Sequence, residues 1–598
     1  MCGIAGIISN NARNYQAEIK KMTDSLIHRG PDSSDFEFYD NAALGHRRLS
    51  IIDLSENGKQ PMFSNTKNEC IVLNGEIYGY QDLKRQYAEY PYHGDSDTEV
   101  ILAMYQRKQE NLIHDLPGMF AFALWDDRKQ QLFCARDRFG EKPFYYAIGN
   151  NNEFIFASEI KAILASGLIR PAVNPEAISN YLQYGYVSTY QSIYSNIHTL
   201  PPAHQLIWKE GKVNVSRYYS LPAKDRVISL SDAKEEFMYL LKNAVKKQLI
   251  ADVQVGSFLS GGLDSSSVVA LVDEFLPHQT TISFGYDHKD SELKYAKEIA
   301  DKYKTNHIEV HEQKKDLAES LLHVSPFFDE PFADTSYLPH YEICKNARKN
   351  LTVALSGDVG DELFGGYHFY TVENMMKNHF SYKNIIARFG LNLYKRAKTV
   401  SFVTQQNLKY DSILDFHLNS VRNDFNKDER MMLGCSTNYQ QGYSFTPDPD
   451  SLNDIMRVDL ENYVPGNMMV KSDRMAMANS LEVRTPFLDI DFAEFCIQLP
   501  DQLKLTNEND KIILRESMGS YWTDTIRGRR KQGFGISVKS WFEEDNLIRL
   551  SNDLLKDPNQ KVFGYIDFDA TQKFLNKDHK HWNLLQLALW AHNNKSVL

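Results

Sequence analysis

FLSGGLDSSSVVALVDEF, residues 258–275, decides the fold of the larger part of this chain. An apolar strand-like run meets two glycines and then a helical pattern. A strand, a tight turn and a helix in that order is the unit from which parallel α/β sheets are built. The glycines let the backbone approach a ligand, and the N-terminus of the following helix aims several N–H groups at it, so the turn is suited to an anion. It is not a Walker loop, because no Lys-Ser/Thr pair follows the glycines. Ser260, Ser265 and Ser266 add hydroxyl donors. Asp264 would repel a bare phosphate, so a divalent cation is implied, and Mg²⁺ accepts carboxylate together with phosphate oxygens. The plainer reading of such a segment is an N-capped helix after a turn.

Moving outward, helical stretches such as 231–249 alternate with short apolar strands at 253–260, 279–286 and 350–358. A second glycine- and acid-rich segment, ALSGDVGDELFGGY (354–367), also follows a strand. Two such loops at strand ends suit a crevice at the carboxyl edge of a parallel sheet. The stretch 368–460 reads as helical and polar, with no chemistry attached. The first two hundred residues have a different texture, β-rich with a few helices; 97–109 is helical, behind an Asp-Ser-Asp-Thr cluster suited to N-capping. The proline-rich run at 199–222 marks the boundary, so the expected division is 1–205, a linker at 206–225, and 226–598.

A chain of 598 residues is too long for one core. Its net charge of −11 argues against general binding of nucleic acid or anionic membranes. Six scattered cysteines without a C-x-x-C pair make neither a disulfide framework nor a zinc pattern, and no stretch is apolar enough to span a membrane. With no signal-peptide pattern at its start, the chain is expected in the cytosol.

The sequence opens MCGIAGIIS. A cysteine thiol is mostly protonated at neutral pH and needs a base. If Met1 is removed, Cys2 carries its own, an α-amine of pKa about 7.7–8.0. HRGPDSS (28–34), GHRRLSIIDL (45–54), NGEIYGY (74–80), GDSDTEV (94–100), GMFAFALWD (118–126) and ARDRFGEKPFYY (135–146) follow in order. With MCGI they resemble the glutaminase domain of class II, N-terminal-nucleophile amidotransferases. The resemblance implies an α+β domain, an αββα sandwich. It also implies Cys2 as nucleophile, the Asn74 side chain and Gly75 N–H as oxyanion hole, and Arg48, Asn74, Glu76 and Asp97 as glutamine-binding residues. Taken alone, Asn74-Gly75 reads as a hairpin turn, and Arg48 and Asp97 as surface ion pairs.

The SGGLDSS loop is similar to the pyrophosphate loop of ATP pyrophosphatases. That resemblance implies an adenine nucleotide alpha hydrolase-like α/β domain with a helical C-terminal part. Leu259, Ser260, Gly261, Gly262, Asp264, Ser265, Ser266, Phe284, Ser356, Gly357 and Asp358 would bind ATP. Asp264 and Asp361 would hold Mg²⁺. NMMVKSDRMAMANSLEVRTPFLD (467–489), DKIILRE (510–516) and RRKQGFGISVKSWF (529–542) extend the match. In it Lys511 neutralises phosphate charge, while Glu482 and Arg484 read as a buried ion pair. Together the two halves resemble the glutamine-hydrolysing asparagine synthetases and their amidotransferase relatives. The substrates implied are glutamine, ATP and a carboxylate, with aspartate first and a uronic acid sugar of surface polysaccharide second; a homodimer is implied as well. The second acceptor arises because position 358 is Asp where the best-known bacterial type has Glu, and because FFDEPFADTSYLP (327–339) resembles a branch that includes both kinds of enzyme.

Overall fold

The structure is a computed structural model that describes residues 1–285, 292–311, 316–377, 410, 412–435, 451–529 and 538–597. The expected motif at 529–542 therefore lies largely outside the described residues, as do parts of the stretch 368–460.

The N-terminal part is built from two six-stranded antiparallel sheets. The first has the order β10(Ile197–Thr199)–β8(Tyr145–Ile148)–β9(Phe154–Ala157)–β1(Gly3–Ile8)–β3(Ala42–Arg48)–β2(Ser33–Phe38). The second has β12(Lys212–Arg217)–β11(His204–Lys209)–β7(Gln131–Arg136)–β6(Met119–Asp126)–β5(Glu69–Glu76)–β4(Met62–Phe63). Side chains alternate across a strand, and here both faces are buried. Ile4 and Ile8 of β1 meet Cys70 and Val72 of β5 in the layer between the sheets. Ala5 and Ile7 turn instead to helix α1 (Gln16–Asp24), with Ile19 and Met22. On the far side, Ile71 and Leu73 pack on Val100 and Ile101 of α2 (Thr98–Lys108). The result is the αββα sandwich that the sequence led us to expect.

The hairpin β11–β12, residues 204–217, overlaps the segment expected as linker, 206–225. It pairs with β7 through Leu206 opposite Cys134 and completes the second sheet, so the N-terminal unit runs to residue 217. Its buried Leu206 gains more by joining the core than by staying in a connection.

The second part centres on a five-stranded parallel sheet of order β15(Asn306–His311)–β14(Thr280–Gly285)–β13(Val255–Phe258)–β16(Val353–Leu355)–β17(Glu482–Arg484). The chain moves to one side after β13 and returns to the other at β16. This reversal opens a crevice at the carboxyl ends of β13 and β16. Helices α3 (Leu230–Gln248), α4 (Leu263–Asp273), α5 (Tyr337–Ala347) and α6 (Met469–Met477) frame the sheet. The last long helix, α7 (Asp578–Asn593), is buried almost all round from Trp582 to Ala591. It ties the two parts together: the Tyr181 hydroxyl donates to the carbonyl of Asn583 (2.7 Å), and the Trp582 indole donates to that of Ala333 (2.8 Å).

Candidate active sites

Cys2 stands at the head of β1, buried at one end of the sandwich. Its backbone N–H donates to Asn74 Oδ1 (3.1 Å), and its Sγ lies 3.9 Å from the carbonyl of Leu49. Asn74 and Gly75 do not form a hairpin turn. They continue β5, opposite Ala121 and Phe120 of β6. Gly75 has φ +154°, and a Cβ there would fall on the backbone of Met119 and Phe120, so only glycine fits. Asn74 is fully buried and its Nδ2 has no hydrogen-bond partner. A buried donor left unpaired costs about 1–3 kcal/mol, and unpaired donors of this kind are characteristic of sites where charge develops during reaction.

The other expected glutamine-site residues gather nearby. Arg48 ends β3, and its buried guanidinium donates to the carbonyls of Ile52 (3.2 Å), Ser55 (3.2 Å) and Asp53. It is therefore held by backbone, not by a surface carboxylate. Asp97 occupies the N-cap of α2, yet its carboxylate does not cap the helix; it accepts from the Ile77 N–H (2.8 Å). Burial is the main cause that lifts its pKa to about 6. Glu76 is lifted well above the usual carboxylate range, by burial first and by the charges of Glu482 and Asp97 next. Its Oε2 lies 3.6 Å from the Arg484 guanidinium. Burial also raises the Cys2 thiol, so the cysteine needs help to ionise.

One residue at this site was not singled out by sequence. Arg29 donates from Nε to the carbonyl of Cys2 (3.0 Å) and from its two terminal nitrogens to both oxygens of Asp473 on α6 (2.8 and 2.9 Å). Its setting in HRGPDSS was the available signal. The α-ammonium of Met1 is buried against Glu482 Oε2 (3.0 Å). While Met1 is attached, the Cys2 nitrogen is an amide and has no basic lone pair. Glu482 and Arg484 form the buried pair expected of them (2.6 Å); against the cost of burial, the Met1 ammonium first and Arg484 next hold the Glu482 carboxylate down at about 2.

The crevice of the parallel sheet holds a cavity of about 410 Å³. Leu259, Ser260, Gly262, Asp264 and Ser265 form one wall, Ser356 to Asp361 another, with Phe284 and Lys511 across from them. The glycines bring the two loops into contact: a Cβ on Gly357 would sit 2.6 Å from the backbone nitrogen of Ser265. Two residues expected to touch nucleotide are not on the wall. Gly261, at φ +70°, makes the turn itself, against the backbone of Tyr295 and Ala296. Ser266 is fully buried one residue deeper in α4, since successive helical residues point about 100° apart.

Asp264 and Asp361 converge on one cation, the Lys511 ammonium, at 2.5 and 2.6 Å. These carboxylates drive the lysine pKa upward against the cost of its burial. Two hard carboxylates able to share a positive charge fit a Mg²⁺ that takes its remaining oxygens from phosphate and water. Among the described residues no group of three or more His, Cys, Asp or Glu forms an all-protein metal cage. Arg529 also reaches the site: it donates to the Ser260 carbonyl (3.3 Å), pairs with Glu292 and covers the Tyr295 ring.

The chain matches the glutamine amidotransferase domain family over residues 1–219 and the asparagine synthase family over residues 236–592. It is 31% identical to asparagine synthetase [glutamine-hydrolyzing] 1 of Bacillus subtilis, over 97% of this chain and 92% of that protein. It is 30% identical to asparagine synthetase [glutamine-hydrolyzing] 3 of the same organism, over 89% and 87%. A putative asparagine synthetase [glutamine-hydrolyzing] 2 of Methanocaldococcus jannaschii is 40% identical, over 61% of this chain and 76% of its own.

Proposed function

This chain belongs to the asparagine synthase family, and we propose that it makes asparagine from aspartate, ATP and glutamine. Cys2 attacks the glutamine side-chain amide, and the oxygen that becomes negative is met by Asn74 Nδ2 and the Gly75 N–H. Ammonia leaves, and water releases glutamate from the thioester. Arg48 pairs with the α-carboxylate of glutamine, and Asp97 and Glu76 with its α-ammonium. The base is the α-amine of Cys2, freed by removal of Met1; mass spectrometry of active protein tests this, since activity with Met1 in place would contradict it.

In the second cavity the Ser260–Ser265 loop and the N-terminus of α4 receive the phosphates of ATP. Asp264 and Asp361 would hold Mg²⁺, whose chemistry is to neutralise and orient the phosphate oxygens. The carboxylate of aspartate displaces pyrophosphate from the α-phosphorus, giving an acyl-adenylate. Ammonia then adds to the carbonyl, and AMP leaves. Activation is needed because a free carboxylate is a poor acyl acceptor. Lys511 offsets negative charge on the phosphates as it builds. The names carried by the relatives favour aspartate over a uronic acid as acceptor.

One observation carries this reading: a single chain holds both the Cys2–Asn74 pair and a cavity where two carboxylates converge on a lysine. The test combines ATP, Mg²⁺, glutamine and a panel of carboxylates, with pyrophosphate and AMP measured. Aspartate should give both, and Cys2→Ala should abolish synthesis from glutamine while synthesis from ammonium continues. Release of ADP, or loss of both activities in Cys2→Ala, would overturn it.

A further inference from the structure

Donors for a developing charge work only if they are held where that charge will appear, so the strand that carries them must be fixed on both edges. On one edge β5 is fixed by β6, with Asn74 opposite Ala121 and Gly75 opposite Phe120. On the other edge its strand partner runs out. β4 pairs only Phe63 with Cys70 and Met62 with Ile71. Continued, that register would set Pro61 and then Gln60 beside Val72 and Leu73, and a proline has no N–H to give. Leu73, the residue before Asn74, is thus left without a strand partner on this edge, in a buried place where bare backbone groups are costly.

Two side chains meet it instead. Gln60 Oε1 accepts from the Leu73 N–H (2.6 Å), and His46 Nε2 donates to the Leu73 carbonyl (3.1 Å). A carbonyl only accepts, so the ring carries its proton on Nε2. Burial drops the His46 pKa to about 3, which keeps the ring neutral at working pH. His46 and Gln60 are themselves buried.

Both side chains come from elements that carry other parts of the glutamine site. His46 lies on the face of β3 that bears Ala42 and Leu44, which fill the layer between the two sheets, and Arg48 is next on that face. The imidazole is the polar end of that layer and bridges the first sheet to the second. Gln60 Nε2 donates to Thr98 Oγ1 (3.1 Å), next to Asp97. In a strand, the N–H groups of alternate residues point to the same edge. Along this edge the Leu73 N–H goes to Gln60 and the Ile77 N–H to Asp97. The Gly75 N–H lies between these two anchors.

We propose that His46 and Gln60 are positioning residues for glutamine hydrolysis: they clamp Leu73 and so set where Asn74 Nδ2 and the Gly75 N–H meet the oxyanion. The inference rests on the oxyanion role proposed above for Asn74 and Gly75. With the clamp released, Asn74 shifts relative to Cys2, and the developing charge loses its donors. The α-carboxylate of glutamine is held from β3 by Arg48, so the transition state loses more than the bound substrate does.

Glutamate release, normalised to ammonium-driven pyrophosphate release on the same sample, tests this. His46→Leu should lower kcat for glutamine about 10- to 100-fold, the size of a buried carbonyl left without its donor, with the glutamine KM within about threefold. Gln60→Met should lower kcat in the same range. His46→Gln sets an amide N–H near the place of Nε2 and should recover most of the loss. A second readout uses a glutamine analogue with an aldehyde in place of the side-chain amide. The Cys2 thiol adds across its carbonyl: the S–C bond forms, the C=O π bond opens, and the thiol proton ends on the oxygen. That oxygen stands where the oxyanion would, so His46→Leu should weaken inhibition by the aldehyde by about the same factor as kcat, and inhibition by glutamate by no more than about threefold. A role in folding alone would lower both activities together and would not separate aldehyde from glutamate. If a folded His46→Leu or Gln60→Met keeps kcat within about threefold of the parent, if His46→Gln does no better than His46→Leu, or if KM and both inhibition constants shift together, the clamp is wrong and the oxyanion reading stands. If Asn74→Ala itself loses less than about tenfold, both fall. Should His46→Leu fail to fold, Gln60→Met decides by the same criteria.

Discussion

Replacing Asn74 by alanine removes two things at once. The first is Nδ2, the buried donor with no partner in the resting site. The second is Oδ1, which accepts from the Cys2 nitrogen at 3.1 Å. Loss of one oxyanion donor costs about 2.7–4 kcal/mol of transition-state stabilisation, a factor of about 10²–10³ in kcat. Loss of the second bond lets the terminus drift and adds about 1 kcal/mol. The cost is partly offset in the ground state, because Nδ2 no longer has to be buried unpaired. Asn74→Ala should therefore slow glutamine hydrolysis about 10³-fold without destabilising the fold by more than about 1–2 kcal/mol. Asn74→Asp separates the two roles. It keeps an acceptor for Cys2 but sets a negative charge against the oxyanion, and should be at least as slow. The assay follows glutamate release, with ammonium-driven pyrophosphate release measured on the same protein. A fall of less than tenfold in glutamate release would refute the assignment of Asn74 Nδ2. An equal fall in both activities would refute the separation of the sites.

Other outcomes follow from single groups. In the role proposed for it, Asp97 must be ionised to hold the α-ammonium of glutamine, and its pKa is raised to about 6. The site is therefore competent above pH 6 and weakens as pH falls through it, so the glutamine KM should rise about tenfold per unit below pH 6 while the ammonium-driven rate does not follow it. Lys511→Met leaves Asp264 and Asp361 without their shared cation; synthesis should fall about 10²-fold or more, and Mg²⁺ should raise the melting temperature of this variant more than that of the parent. Arg29→Ala removes a cation 2.8 Å from each of the buried Asp473 and Glu159 carboxylates, which keep Arg474 at 3.3 and 3.2 Å. A cost of about 1–3 kcal/mol is expected, seen as a lower urea midpoint.

What could be read from sequence was what depends on neighbours along the chain. The helix at 97–109 and the strands at 253–260 and 279–286 were legible because their periodicity and their glycine and cap residues are local. The order of motifs placed Cys2, Arg48, Asn74, Glu76 and Asp97 at one site, and the structure gathers them at one end of the sandwich. Asn74-Gly75 shows where local reading stops: the dipeptide favours a turn, and pairing with β6, more than forty residues on, overrides it. Asp97 makes the same point, since it sits where a cap belongs and turns its carboxylate to another loop. The stretch 368–460 read as helical and polar, with no chemistry attached. Within its described residues, Glu373, His417, Arg422 and Asp459 form a buried ionic cluster, and the two carboxylates help lift the His417 pKa to about 9. Polarity alone cannot separate a solvated face from a buried network, because the partner charges come from distant elements.

The two sites are joined by more than adjacency, and Arg484 is where the connection can be followed atom by atom. Its carbonyl, at the end of β17, accepts from the Ser356 N–H (2.9 Å), so it anchors the first residue of the loop that walls the nucleotide cavity. Its side chain points the other way. Nε donates to Glu482 (2.6 Å), one terminal nitrogen to the carbonyls of Gln248 (2.6 Å) and Ile250 (2.8 Å), and the other lies 3.6 Å from Glu76 in the glutamine site. Glu482 extends the chain to the Met1 ammonium (3.0 Å), the group whose removal would free the Cys2 amine. Burying this many charges costs several kcal/mol per ion unless each is compensated. Around the glutamine site the compensation is incomplete: Glu76 and Asp97 are both pushed up, each partly by the charge on Glu482. On the glutamine-binding role proposed above, an arriving α-ammonium would supply positive charge to this acidic cluster. Arg484 is the residue that spans both sites, its guanidinium 3.6 Å from Glu76 and its carbonyl on the Ser356 N–H.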